Sequence, residues 1–120
     1  MKKEQQITGI QLVTEERNRQ IEKEGYTLRH DLRMYDFNDQ LTIAAICYAL
    51  PPKINSKELK SALLTDESKK EDDYRNYYFP WQLVYFKPSP EDRIRELTKA
   101  AALLVAQIDV LLNKKDKTKR

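Results

Sequence analysis

The sequence predicts an all-α fold: a small helical bundle of three long helices with one short helix and an aromatic loop. Three segments combine helical apolar spacing with helix-end signals of their own. Only two of the 120 residues are glycines, which leaves few positions for the tight turns of β-hairpins. A chain of this length forms one domain with one core, which we assign to residues 1–113.

The first helix is predicted over residues 8–24. Ile10, Arg17 and Glu24 lie on one face of it, so that this face begins apolar and ends charged. Gly25 follows directly, and a glycine in the left-handed conformation at this position would end the helix.

The second helix is predicted over residues 37–50, with Asp36 as its N-cap and Asp39 three residues further on. After its first turn it is apolar on nearly every side, which is typical of a helix packed by several neighbours. We therefore expect it to be central. Prolines 51–52 end it, because proline disfavours the helical conformation of the preceding residue.

A short third helix to about Leu64 is predicted from Asn55 and Glu58, which resemble a capping box. Residues 65–80 then form an exposed loop that becomes aromatic, and residues 81–87 are predicted to be extended between two prolines.

The last helix has the clearest start. Ser89 is its predicted cap, Pro90 takes the first helical position, and Glu91 and Asp92 oppose the positive end of the helix dipole. An apolar stripe with alternating spacings of three and four follows: Ile94, Leu97, Ala101, Leu104, Ile108 and Leu111. The bundle is too small to cover all of its apolar helix surface, so we expect a two-fold homodimer that pairs the last helices through Ala101, Leu104 and Ile108.

The net charge of +3 comes from the end of the chain. Residues 114–120 hold five basic residues and one acidic residue, a charge of +4 that leaves −1 for the rest. The body is therefore not a basic platform for nucleic acid, and the tail, which we expect to be flexible, predicts at most a weak contact. No apolar run is long enough to span a membrane, and no secretory signal is present. Cys47, predicted to be a buried structural thiol, is the only cysteine. These features predict a cytoplasmic protein of a reducing compartment, here the host cell.

The densest group of ionisable side chains lies in residues 15–31. Arg17, Gln20 and Glu24 are three or four residues apart, so their side chains can meet on a helix. They share a face with apolar residues, and burial costs roughly several kcal/mol per ion unless each ion is paired. The partner is either a carboxylate elsewhere, as in a structural ion-pair network, or a bound anion.

His30 and Asp31 follow the turn. A neutral imidazole beside a carboxylate can bind a metal or move a proton near neutral pH, although a plain hydrogen-bonding role is the alternative. Trp81, the only tryptophan, lies among other aromatic residues that could hold a base or simply close the core. Lys87 precedes the last helix, whose N-terminus attracts phosphate. The candidate ligand-binding residues are Arg17, Arg19, Gln20, Glu24, Tyr26, His30, Asp31, Trp81 and Lys87. No catalytic residue, metal site or cofactor is assigned.

Several motifs stand out as a set. They are Glu16-Arg17-x-Arg19-Gln20, Glu24-Gly25-Tyr26-Thr27-x-x-His30-Asp31, Gln40-Leu41-x-x-Ala44-Ala45, Phe79-Pro80-Trp81 and Phe86-Lys87-Pro88. Together they resemble a family of small phage and prophage proteins over most of residues 14–112. The resemblance implies a viral or mobile-element origin rather than a reaction.

A weaker resemblance is to the all-α nucleoside triphosphate pyrophosphohydrolases of the MazG type, which hold Mg²⁺ with paired carboxylates on adjacent helices. The acids that could correspond are Glu16, Glu24, Asp31, Asp39 and Asp109. The EExxE motif of those enzymes is missing from the second helix, which has the sequence DQLTIAA.

Two functions are therefore expected. The first is a non-enzymatic phage accessory protein that binds a small anionic, nucleotide-like ligand or a host protein, for example in counter-defence. The alternative is a divergent Mg²⁺-dependent hydrolase of the second family. Clustered acids alone would favour the enzyme, whereas the interleaved arginines favour binding, which we rank first. These arginines are Arg17, Arg19, Arg29 and Arg33.

Overall fold

The computed structural model describes residues 6–25 and 39–118, with side chains up to residue 113. Within these residues there are four α-helices and no β-strand, so the all-α prediction is confirmed. The helices are α1 (Gly9–Glu24), α2 (Gln40–Ala49), α3 (Lys57–Leu63) and α4 (Arg93–Thr118). Three 3₁₀ turns connect α3 to α4: Ser68–Lys70, Tyr74–Tyr77 and Leu83–Tyr85. None of the described helices is long and apolar enough to cross a membrane.

Both ends of α1 are fixed by local hydrogen bonds. The Thr8 hydroxyl accepts from the backbone N–H of Gln11, and the Gln11 side chain accepts in turn from the N–H of Thr8, which is a complete capping box. At the other end Gly25 has a φ of +74°, and its N–H donates to the carbonyl of Gln20. The predicted glycine stop is thus confirmed.

The ends of the other helices differ in part from prediction. The predicted N-cap of α2, Asp36, lies outside the described residues. Ser56, rather than Asn55, caps α3 by accepting from the N–H of Leu59. At the start of α4 the Ser89 carbonyl accepts from the N–H of Asp92 in a turn, and Asp92 itself caps the helix by accepting from the N–H of Arg95. The predicted caps of α3 and α4 were wrong because neighbouring residues can cap equally well and the turn geometry selects one.

The central helix is α4, not α2 as expected. It packs along both α1 and α2, and small side chains on its inner face allow α2 to approach closely. The few polar residues of α2 had suggested that neighbours surround it on all sides. Two of its apolar side chains, Ile43 and Ile46, are nevertheless partly exposed. The core consists of Leu41, Ala44, Ala45, Cys47, Tyr48, Phe79, Phe86, Ala100, Leu103, Ala106 and Val110.

The aromatic loop closes one side of this core. Residues 81–87 were predicted to be extended, and this prediction is wrong. They contain a 3₁₀ turn at Leu83–Tyr85. The turn brings Phe86 back against Tyr48 and Phe79, with ring centroids 5.0 and 4.8 Å apart. The backbone N–H of Lys87 donates to the Tyr48 hydroxyl at 2.9 Å. These contacts position the segment that forms one wall of the cleft described below.

Candidate functional site

A cleft lies where the second half of α1, the middle of α4 and the aromatic loop meet. Its polar side chains are Glu16, Arg19, Gln20, Glu24, Lys87 and Lys99. Its aromatic wall is formed by Tyr48, Phe79, Trp81 and Tyr85. The cavity volume is about 30 Å³, which is space for roughly two water molecules. Only the end of a ligand can therefore enter, and the remainder would lie across the mouth.

The cleft brings together five of the predicted ligand-binding residues, which are far apart in the sequence: Arg19, Gln20, Glu24, Trp81 and Lys87. Arg17 is buried on α1 but is not part of this lining. Tyr26, His30 and Asp31 lie outside the described residues. Whether the cleft binds a ligand stays a prediction.

Glu16 organises the charges on the α1 side of the cleft. Its carboxylate is 3% exposed and accepts from Nε and Nη2 of Arg19 at 2.8 and 2.7 Å. It also accepts from Nη1 of Arg95 on α4 at 2.9 Å. Burial raises the pKa of Glu16, but the hydrogen bonds and charges of the two arginines outweigh burial and hold it below the ordinary glutamate value. A structural ion-pair network therefore exists at this end of α1.

Arg19 also connects Glu16 to the end of α1. Its Nη1 lies 3.3 Å from Oε1 of Glu24, which is partly exposed at the edge of the cleft. The Glu16 hydrogen bond raises the pKa of Arg19 despite burial, so that its guanidinium is fixed as a cation. Arg19 is thus paired with two carboxylates of the cleft. The other cations of the lining are two lysines, Lys87 and Lys99.

Lys99 is one of these lysines, and the sequence analysis did not select it. Its Nζ donates to the carbonyl of Lys87 at 2.8 Å and lies 5.4 Å from the centroid of the Tyr48 ring. Burial lowers its pKa, and the positive charge of Arg95 lowers it further. An ammonium has three donors, and the described residues accept from one of them. In the sequence it is only a lysine that precedes the apolar run AAALLVA, and this pattern does not place it in a cleft.

Gln20 supplies an acceptor that the described residues do not satisfy. The residue is 3% exposed, and its Oε1 has no hydrogen-bond partner among the described residues. A buried acceptor without a donor costs about 1–3 kcal/mol. Because Gln20 lines the cleft, a guest with an N–H or O–H group could remove that cost.

Trp81 is held firmly at the cleft wall. Its indole N–H donates to Oε1 of Gln40 at 2.9 Å, and its ring meets Phe79 edge to face with centroids 5.5 Å apart. Tyr85, which is 55% exposed, lies nearer the solvent. The rim therefore offers fixed aromatic surface for a flat group.

The acids that the second resemblance singled out do not assemble a metal site in the described part of the chain, where no three His, Cys, Asp or Glu side chains gather. Glu16 is held by two arginines, and Asp39 is exposed at the start of α2. Asp31 lies outside the described residues.

The chain matches no known protein family, no curated protein and no solved structure. The two resemblances noted in the sequence stay predictions, and the function is inferred from the residues of the cleft.

Proposed function

We propose that this chain is a non-enzymatic binding protein whose cleft takes the end of a small anionic, nucleotide-like ligand. The observation that carries the proposal is the presence, in one cavity, of the Lys99 ammonium and of a buried Gln20 acceptor that has no partner among the described residues. A protein interior seldom leaves a buried acceptor unmatched, because it has a desolvation cost.

The size and chemistry of the cleft restrict the ligand. An oxygen of a phosphate or carboxylate fits the cavity and would accept from Lys99, with Lys87 as a second cation at the mouth. A hydroxyl or amine of the ligand would donate to Gln20. A flat ring would lie outside the cavity against Trp81 and Tyr85. A nucleotide combines these three groups in one molecule.

The state of Glu16 favours binding over hydrolysis. A carboxylate that holds Mg²⁺ needs free oxygen lone pairs, and both oxygens of Glu16 accept from arginine. Releasing them would break a buried ion pair, at a cost of about 3–5 kcal/mol. The second candidate is the Mg²⁺-dependent pyrophosphohydrolase. Its support is that some acids of the sequence could correspond to the carboxylates of the MazG-type enzymes.

The biological setting that we propose is that of a phage or prophage accessory protein, with a host protein as the other class of partner. The support is the set of sequence motifs from Glu16 to Asp31 and from Phe79 to Pro88. Capture of a nucleotide signal of the host would be one counter-defence role for such a cleft.

The only tryptophan of the chain lies in the cleft and reports on binding directly. We would titrate the protein with ATP, GTP, AMP and inorganic phosphate, with and without Mg²⁺, and follow Trp81 fluorescence and the melting temperature. A ligand at 100 times its Kd adds about 2.7 kcal/mol to the free energy of unfolding. We expect at least one nucleotide to change both signals without Mg²⁺.

The matched variants are Lys99→Met, which removes the cavity cation, and Lys57→Met, which removes an exposed lysine at the start of α3. Lys99→Met should abolish the fluorescence change, and Lys57→Met should preserve it. No response to any nucleotide would refute the proposal. Mg²⁺-dependent release of pyrophosphate would establish the second candidate instead.

A further inference from the structure

Helix α4 has a second apolar face that the described residues leave uncovered. The stripe predicted from the sequence lies on it: Ile94, Leu97, Leu104, Ile108 and Leu111 are 68, 48, 43, 53 and 49% exposed. Leu112, 55% exposed, extends it, and Ala101 lies between the larger residues. The charged side chains of α4 between residues 94 and 113 project from its other sides.

This surface is at the upper end of what monomeric proteins leave open. Six large aliphatic side chains, each about half exposed, amount to on the order of 600 Å² of apolar surface, which equals the largest patch on a typical monomer. A standard interface buries about 800 Å² on each partner. The stripe alone therefore supplies about three quarters of the area that one partner contributes to a standard interface.

We propose that a second copy of this chain covers the stripe, with the two α4 helices packed antiparallel about a two-fold axis. Alternating spacings of three and four are the a and d positions of a coiled coil, so the surface fits another helix. In the antiparallel register, each stripe residue of one chain faces a stripe residue of the other, which gives three different pairs of facing residues. Ile94 faces the partner's Leu111, Leu97 faces the partner's Ile108, and Ala101 faces the partner's Leu104.

The charge pattern of the helix supports this orientation. The sequence is EDRIRE over residues 91–96. Glu96 and Glu16 bind the two arginines of this stretch, which leaves Glu91 and Asp92 as its other charges. Lys114 and Lys115 follow the stripe in the sequence. The antiparallel register places the acidic end of one helix beside the basic end of the other, and it also opposes the two helix dipoles. A membrane surface fits poorly, since the opposite face of α4 forms the core instead of a basic polar face.

The dimer leaves both clefts open. Lys99 and Leu103, which line the cleft, lie on the side of α4 opposite the stripe, because a helix turns about 100° per residue. The two clefts of the dimer would face away from each other. Dimer formation through the stripe does not depend on a ligand in the cleft, so the absence of one would leave the other unaffected.

The first experiment measures the mass of the full chain by light scattering at micromolar concentration. We expect twice the 14.2 kDa of one chain. Leu104→Glu places a charge at the centre of the interface and should give a monomer with an unchanged helical circular dichroism spectrum. Ile10→Glu, at a residue of α1 that is 81% exposed and outside the stripe, is the matched control and should stay dimeric. Should Leu104→Glu fail to fold, Ile108→Glu replaces it.

The second experiment tests orientation by disulfide trapping. One variant carries Leu97→Cys and a second variant carries Ile108→Cys. The two variants are mixed and oxidised, and the antiparallel register predicts a disulfide between one chain of each kind. Wild-type protein, in which Cys47 is buried, is the control without a cross-link. A monomer at all concentrations, or a dimer that Leu104→Glu leaves intact, overturns the interface. A cross-link formed by Leu97→Cys chains alone overturns the antiparallel orientation.

Discussion

Nη2 of Arg75 lies 2.8 Å from Oε2 of Glu96, and both side chains are completely buried. Glu96 also accepts from Arg93 at 2.6 Å and from the backbone N–H of Ser89 at 3.1 Å. Arg75 donates in turn to the carboxylate of Asp73 and to the carbonyl of Leu50 at the end of α2. One buried carboxylate thus joins the start of α4, the end of α2 and the aromatic loop.

Breaking this network should destabilise the fold. Glu96→Gln removes one of the two carboxylates that bind Arg75 and leaves Asp73 as the other, and removing one partner of a buried ion pair costs about 3–5 kcal/mol. We expect the free energy of unfolding in urea to fall by that amount. The control is Glu67→Gln, whose carboxylate lies in an exposed pair 3.5 Å from Lys70 and should change the free energy by less than about 1 kcal/mol. Equal losses in the two variants would contradict the structural role of Glu96.

The protein should lose stability in acid through Glu16 and Glu96. Burial raises the pKa of each, but arginine hydrogen bonds and charges lower both below the ordinary value of 4.5. A group with a depressed folded pKa stabilises the protein above its unfolded pKa, and this contribution is lost as the pH falls through the folded value. We therefore expect the melting temperature to fall as the pH drops below about 4.5.

The variant Glu16→Gln tests this assignment. It lacks one of the two carboxylates, so its stability should be lower at neutral pH and should change less between neutral pH and about pH 3, a range that spans the ordinary pKa of glutamate. A pH profile parallel to that of the wild type would show that Glu16 is not responsible for the acid loss.

Cys47 should be inert in the folded protein. The side chain is fully buried in α2, and burial raises the pKa of the thiol to about 11 even though the charge of Arg75 opposes the shift. The thiolate is the reactive form, so a disulfide reagent at about pH 8 should label native protein only as fast as it unfolds. In denaturant, one thiol per chain should react at once. Rapid labelling of native protein would mean that the core around α2 opens easily.

The helices could be predicted from the sequence because their signals are local. Thr8 and Gly25 are close to the elements that they end, and the α4 stripe shows in the spacing of its residues. Which helix is central could not be predicted, because it depends on long-range packing. The same holds for the ion pair of Arg75 and Glu96, which joins a 3₁₀ turn to a helix 21 residues later.

The candidate site likewise contains residues that could be predicted from the sequence and residues that could not. Arg19, Gln20 and Glu24 form a visible cluster on α1, and Trp81 is conspicuous as the only tryptophan. Lys99 could not be selected, because its place in the cleft depends on how α1 lies along α4. An ion-pair network was one of the two expectations for Arg17, Gln20 and Glu24. The observed network is centred on Glu16 instead, and its second arginine, Arg95, comes from the distant helix.

The sharpest test of the cleft is Gln20→Met, in which stability and binding should change in opposite directions. Methionine has nearly the shape of glutamine and carries no amide, so the variant removes the buried Oε1 that has no partner among the described residues. Removing an unsatisfied buried polar group should raise the free energy of unfolding by about 1 kcal/mol. The same change removes the acceptor that we assign to the ligand, so nucleotide affinity measured by Trp81 fluorescence should fall by about tenfold or more. Gln11→Met is the matched control, since its side chain belongs to the capping box of α1 and should lower stability without altering affinity. If Gln20→Met lowers stability instead, Gln20 contributes to the fold and the cleft has lost its main evidence for a ligand.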